Sequence, residues 1–284
     1  MEGTMVTGAI IMMLGVTACY TISSLSDKYA VTKAKFKGNE FTFLMCFSLS
    51  VFLSITLPFQ QLYFSFVPQS FIAIFLIATC KLLEFQMSAL VLKEISAFEL
   101  KAWLGITLFV SYVTDICYGE NPSALKLFCI ALTAIGLVFI AKAGTSGSTD
   151  YRRIIIPLIF YISAKYCYGL VIKAFTPYAS PTVQLLTALI IITLIMLFFI
   201  KPAEILKKNK NGVLNVVLAR IPNTLGMLLE NAVIAVSLAS YSFIQPMILT
   251  VLFFIGLIRK ESYSRTNIIG SILCIIGVIS FQLL

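Results

Sequence analysis

Residues 260–278, KESYSRTNIIGSILCIIGV, repeat the pattern of residues 119–138, GENPSALKLFCIALTAIGLV, at an offset of 141 positions. Glu120 falls on Glu261, Ser123 on Ser264, Leu132 on Leu273 and Gly136 on Gly277. Each copy opens on a polar turn that carries a carboxylate and continues as an apolar run. Any two apolar helices share Leu, Ile and Gly, but paired carboxylates argue for a true repeat. At the same offset Tyr20 falls on Tyr161, Ser24 on Lys165 and Asp27 on Tyr168. Between these ends, SALVLKEISAF from Ser88 resembles NAVIAVSLASY from Asn231 at an offset of 143. The repeat therefore reaches both ends of each half, with a two-residue gap in its middle.

Apolar runs broken by charge, Pro and Gly lie near 5–25, 41–58, 69–91, 98–117 and 124–142, then 153–173, 181–200, 213–236, 240–258 and 266–283. About 20 apolar residues cross the hydrocarbon of a bilayer, and backbone without water partners must be helical there. The sequence predicts an all-α membrane protein of ten transmembrane helices. Residues 1–143 form one five-helix repeat, 144–152 a linker and 153–284 the second repeat. Five is odd, so the two repeats have opposite orientations, as in many transporters. The first apolar run lacks a basic leader and a small-residue cleavage site, and is read as a span rather than a signal peptide.

Composition agrees. Of 284 residues, 60% are hydrophobic and 12% charged, against roughly 45–50% and about 25% in soluble domains. The net charge of +9 has a topological cause and needs no nucleic acid. Sixteen Lys and Arg fall in the odd-numbered connections, whereas the even-numbered ones hold only Lys126 and Lys173. The positive-inside rule then puts the odd connections in the cytoplasm and both termini on the other side.

Several chemistries are disfavoured. The chain has no histidine, the commonest general base and metal ligand. Six of its seven cysteines fall in apolar runs without CxxC spacing and read as small core residues. HExxH and GxxxxGK[ST] are both absent, which speaks against metalloprotease and ATPase activity. The expectation is a non-enzyme without cofactor or metal.

Five plus five spans, a Glu opening the last span of each half (Glu120, Glu261) and a glycine within it (Gly136, Gly277) resemble the drug/metabolite transporter superfamily in its ten-span, EamA-like form. Residues 244–278, IQPMILTVLFFIGLIRKESYSRTNIIGSILCIIGV, are the most family-like stretch. Pro246 matches the family's proline near the start of the ninth span, and Glu261 its glutamate in the following loop. The first half departs from the pattern with Trp103 in place of that proline. The resemblance implies a carrier of a small metabolite, and cytoplasmic termini, opposite to the orientation that the charges give.

Ionisable groups inside spans are costly and normally face a cavity or a partner. Lys81 and Glu84 lie at i and i+3 in the third span, as a neutralised pair or as cavity lining. In the eighth span Glu230, beside Asn231, has no opposite charge within four positions, so its partner comes from another helix, water or a held proton. Arg220 lies nearly three turns earlier, where it could snorkel to an interface. Tyr161, Lys165 and Tyr168 form one helical stripe, equivalent by the repeat to Tyr20, Ser24 and Asp27. Tyr20 and Tyr168 also fit an interfacial aromatic belt.

Together these residues suggest a secondary carrier in the cell (inner) membrane, working by alternating access. Its candidate partners are a small polar substrate, anionic or zwitterionic, and protons, with the lipid bilayer as its medium. A flippase for a lipid-linked substrate or an accessory membrane subunit remains the alternative, with a membrane-embedded enzyme third.

Overall fold

A computed structural model describes residues 2–105, 107–119, 121–144, 151–258 and 265–284. The described residues form twelve α-helices and one short 3-10 turn: α1 (Glu2–Thr32), α2 (Gly38–Thr56), α3 (Pro68–Glu94), α4 (Ala97–Leu104), α5 (Thr107–Cys117), α6 (Ala124–Gly144), α7 (Tyr151–Phe175), α8 (Pro181–Leu197), α9 (Pro202–Lys208), α10 (Lys210–Val236), α11 (Leu238–Ile258) and α12 (Arg265–Leu283). Local chemistry sets the starts. Pro68, Pro181 and Pro202 occupy the first turns of α3, α8 and α9, where a missing N–H costs nothing. Asn209 caps α10 by accepting from Gly212 N at 2.8 Å.

The apolar runs of the sequence lie on helices, but the fourth is interrupted at Gly105, which separates α4 from α5. Glycine weakens a helix by about 1 kcal/mol relative to alanine. Here the Thr107 hydroxyl bonds Leu104 O at 2.8 Å. Glu120, Glu261 and the linker residues 145–150 lie outside the described residues.

Among the described residues, five helices are long and apolar enough to cross a membrane: 38–59, 68–94, 152–175, 210–236 and 238–255. Shorter apolar helices accompany them at 107–117, 124–140, 181–197 and 268–281. Large apolar side chains such as Phe75, Phe128 and Ile156 face outward, more than 60% exposed. A water-soluble protein does not present such a surface; this is an all-α integral membrane protein. Some buried hydroxyls are satisfied within their own helices, as where Thr17, Thr133 and Thr224 donate to the carbonyls four residues back.

The core is assembled from helix pairs. α1 packs on α10, α3 on α7, α2 on α8, α6 on α12, and α11 on α4 and α5. The α6–α12 crossing is close because of glycine: a Cβ on Gly136 would lie 2.6 Å from Gly270 O, and one on Gly270 2.7 Å from Gly136 O.

One end of the bundle is stitched shut. The α2–α3 and α7–α8 connections pair through an antiparallel bridge between Phe64 and Ala179, with Ser65 N donating to Tyr178 O and Ser180 N to Tyr63 O, both at 2.9 Å. The Tyr63 hydroxyl bonds Thr176 O, and Thr182 Oγ1 bonds Gln60 Oε1. At the same end Asp115 accepts from Lys173, from Ser237 Oγ at 2.9 Å and from Ala239 N at 2.7 Å. It thus ties the ends of α5 and α7 to the start of α11. At the opposite end Lys28 of α1 donates to Leu92 O and Ile95 O at the end of α3. That end carries Lys33, Lys35, Lys37, Lys93 and Lys210 and is the basic face of the bundle.

Candidate functional site

Small residues make the room in which the polar side chains meet. A Cβ on Gly226 would sit 2.7 Å from the Tyr20 ring, and one on Gly169 2.7 Å from the Tyr241 ring. Both helices thus take a tyrosine ring flush against their backbone. Tyr20 of α1 then reaches one turn along α10 and donates its hydroxyl to Glu230 Oε2. Tyr241 of α11 donates to Lys165 O of α7 at 3.0 Å.

Around these lies a buried ionic network. Lys165 Nζ donates to Glu230 Oε1 at 2.9 Å and lies 3.6 Å from Glu84 Oε1. Lys81 Nζ donates to Glu84 Oε2 at 2.8 Å and stands 3.7 Å from the centre of the Tyr168 ring, a cation–π contact. The Tyr168 hydroxyl bonds Asn231 Oδ1 at 2.8 Å. The order is Lys81, Glu84, Lys165, Glu230, Tyr20, running from α3 through α7 and α10 to α1. Lys81 and Glu230 have no exposed surface. Charges so far from water persist only when paired and hydrogen-bonded.

The network forms one wall of a cavity of about 70 Å³, room for roughly five waters at about 10–15 Å³ apiece. Tyr20, Ser24, Lys81, Glu84, Tyr161 and Lys165 line its deep part. From there the lining runs to Asp27, Leu92, Ala97 and Lys101, toward the ends of α1 and α3 and the start of α4, hence toward the basic face. One or two turns the other way the same helices carry packed Val16, Ile77, Ile172 and Ile234, all buried. Beyond them is the stitched end.

Of the residues singled out from sequence, Tyr20, Ser24, Lys81, Glu84, Tyr161 and Lys165 line this cavity. Glu230 and Asn231 lie just behind it, holding Lys165 and Tyr168. The stripes on α1 and α7 face one another there, with Lys165 Nζ 5.4 Å from the Tyr20 ring centre. Two expectations are corrected. Arg220 does not snorkel: it is fully buried, and its Nη2 donates to Asp27 Oδ1 of α1. Tyr20 and Tyr168 belong to no interfacial belt; both are buried against charged groups, because their hydroxyls have carboxylate and amide partners inside the bundle.

Sequence reasoning missed Lys101, which it counted among loop cations although it lies one turn inside the fourth apolar run. It also missed the Ser23–Asn223 hydrogen bond of 2.9 Å that joins α1 to α10 beside the cavity, and Tyr241. Among the described residues no group of His, Cys, Asp and Glu side chains is arranged to hold a metal ion.

The chain matches no known protein family and no curated protein.

Proposed function

We propose that the chain is a ten-span secondary carrier of the EamA-like drug/metabolite transporter type, which moves a small polar or charged metabolite across the cell membrane by alternating access. The carrying observation is the ionic network at the cavity wall, because it straddles the two sequence halves. Lys81, Glu84 and Tyr20 come from residues 1–143, and Lys165 and Glu230 from residues 153–284. Lys165 stands between a carboxylate of each half, at 2.9 Å and 3.6 Å. A rocking of one half against the other changes those two distances in opposite senses. Substrate or a proton that competes for Glu84 or Glu230 then biases the rocking.

Helix packing supports the inverted repeat. Under the sequence offset α3 corresponds to α10 and α7 to α1, so the α3–α7 and α10–α1 pairs are equivalent; both are extensive. The α2–α8 and α6–α12 pairs are each their own equivalent. In the latter, Cys274 Sγ donates to Thr133 O at 3.5 Å across 141 positions, the repeat offset itself. Closure at the stitched end, with a cavity directed to the basic face, supports access from one side at a time. By the charge rule that side is the cytoplasm.

Uptake into proteoliposomes of a panel of amino acids, amines, sugar phosphates and nucleotides tests this reading, with Glu84→Gln and Glu230→Gln beside the parent. Gradient-driven movement that either variant abolishes is the expected result. If nothing moves and both variants match the parent, the carboxylates are structural and the carrier reading fails.

A further inference from the structure

The ionic groups at the cavity do not balance. Lys81, Lys101, Lys165 and Arg220 face Asp27, Glu84 and Glu230, four cations against three carboxylates. Three of the cations are matched: Lys81 by Glu84, Lys165 by Glu230 and Arg220 by Asp27. The fourth, Lys101, lines the cavity and makes no ion pair or hydrogen bond among the described residues. Glu99, two positions earlier on α4, is engaged by the field of Lys28 on the basic face.

Two further lining groups lack partners. The Tyr161 and Ser24 hydroxyls make no hydrogen bond among the described residues, though both side chains are more than 90% buried and line the same space. Every other polar side chain at the network has at least one partner. A part-buried ammonium and two buried hydroxyls left open toward one cavity are donors awaiting an acceptor.

Resting on the carrier reading above, we propose that Lys101, Tyr161 and Ser24 form the subsite for the anionic group of a singly charged substrate, a small carboxylate. One negative charge brings the site to neutrality, which low-dielectric surroundings favour strongly. A dianion overshoots by one charge, and a cation raises the excess to two. The cavity, near 70 Å³, suits a solute of a few heavy atoms. The other cations, Lys81, Lys165 and Arg220, are already neutralised by protein carboxylates. They position the network and leave the charge recognition to Lys101.

The test is binding to the purified full chain in detergent, measured as ligand-induced thermal stabilisation and by calorimetry. The probes are acetate, lactate and pyruvate, against succinate, ethanolamine and glucose. The monocarboxylates should stabilise the parent in preference to the others. Lys101→Gln should weaken their binding about tenfold or more, the loss of a charged hydrogen bond, and Tyr161→Phe a few-fold. Lys101→Arg should keep most of the affinity. Without ligand, Lys101→Gln should melt no lower than the parent, because it removes a part-buried charge that has no ion-pair partner among the described residues; a merely structural lysine would lower the melting temperature. Preference for ethanolamine or glucose, binding of no carboxylate, or carboxylate binding unchanged in Lys101→Gln overturns the proposal. Carboxylate binding without vesicle uptake upholds the subsite and fails the carrier reading. Uptake of a cation, unchanged in Lys101→Gln, does the reverse.

Discussion

Lys165→Met should be the most damaging single change in the network, and Glu230→Gln a milder one, although the two residues form one ion pair. Without Lys165, Glu84 keeps Lys81 at 2.8 Å, but Glu230 keeps only the Tyr20 hydroxyl and is a buried charge without a counter-ion. Breaking a buried pair that way costs about 3–5 kcal/mol. Glu230→Gln preserves shape and leaves Lys165 with Glu84 at 3.6 Å. Its cost is that of weakened hydrogen bonds, about 1–3 kcal/mol. The double variant leaves neither charge orphaned, so its cost should fall short of the sum of the two single costs by about 0.5–3 kcal/mol of coupling. Equilibrium unfolding in mixed micelles measures all four proteins. Equal costs for the two single variants, or strictly additive costs in the double, would refute the idea that Lys165 is held between two carboxylates.

Gly226→Leu drives a side chain into the Tyr20 ring, since a Cβ alone would lie 2.7 Å from it; a loss of about 1–3 kcal/mol with quenched ligand binding is expected, read by unfolding and calorimetry together. Asp115→Asn removes the charge that holds Lys173 and the start of α11, so stability in the same micelle assay should fall by about 1–3 kcal/mol while the cavity's ligand affinity is unchanged. In a background lacking the seven native cysteines, Phe64→Cys with Ala179→Cys should form a disulfide, because bridged residues bring their Cα atoms about 4.5–5.5 Å apart. Oxidation should stop uptake and reductant restore it; uptake unaffected by a proven cross-link would show that this end need not open.

How much of this was legible depended on the range of the interaction. Helices were readable because a span is a local property of composition, and Gly105 alone divided a run that looked continuous. The Lys81–Glu84 pair was readable because i and i+3 meet on any helix. Glu230 could be seen to need a partner from elsewhere, but nothing local identifies Lys165 or Tyr20, which come from helices 65 and 210 positions away. Arg220 was misread because snorkelling is the usual fate of a lone basic residue in a span, and its carboxylate lies 193 positions away on α1. Lys101 was lost in a tally of loop charges, since one helical turn separates a loop cation from a cavity cation. The Phe64–Ala179 bridge joins two connections with no pattern to announce it.

The most direct test of alternating access follows one thiol placed in the cavity. Ser24→Cys, in the same cysteine-free background, is treated with a membrane-impermeant maleimide from either side of oriented vesicles, with the Phe64→Cys/Ala179→Cys bridge open or closed. A carrier that alternates should be labelled from both sides when the bridge is reduced and only from the side of the basic face when it is oxidised. Labelling from both sides with the bridge closed, or from one side whatever its state, would contradict the central claim.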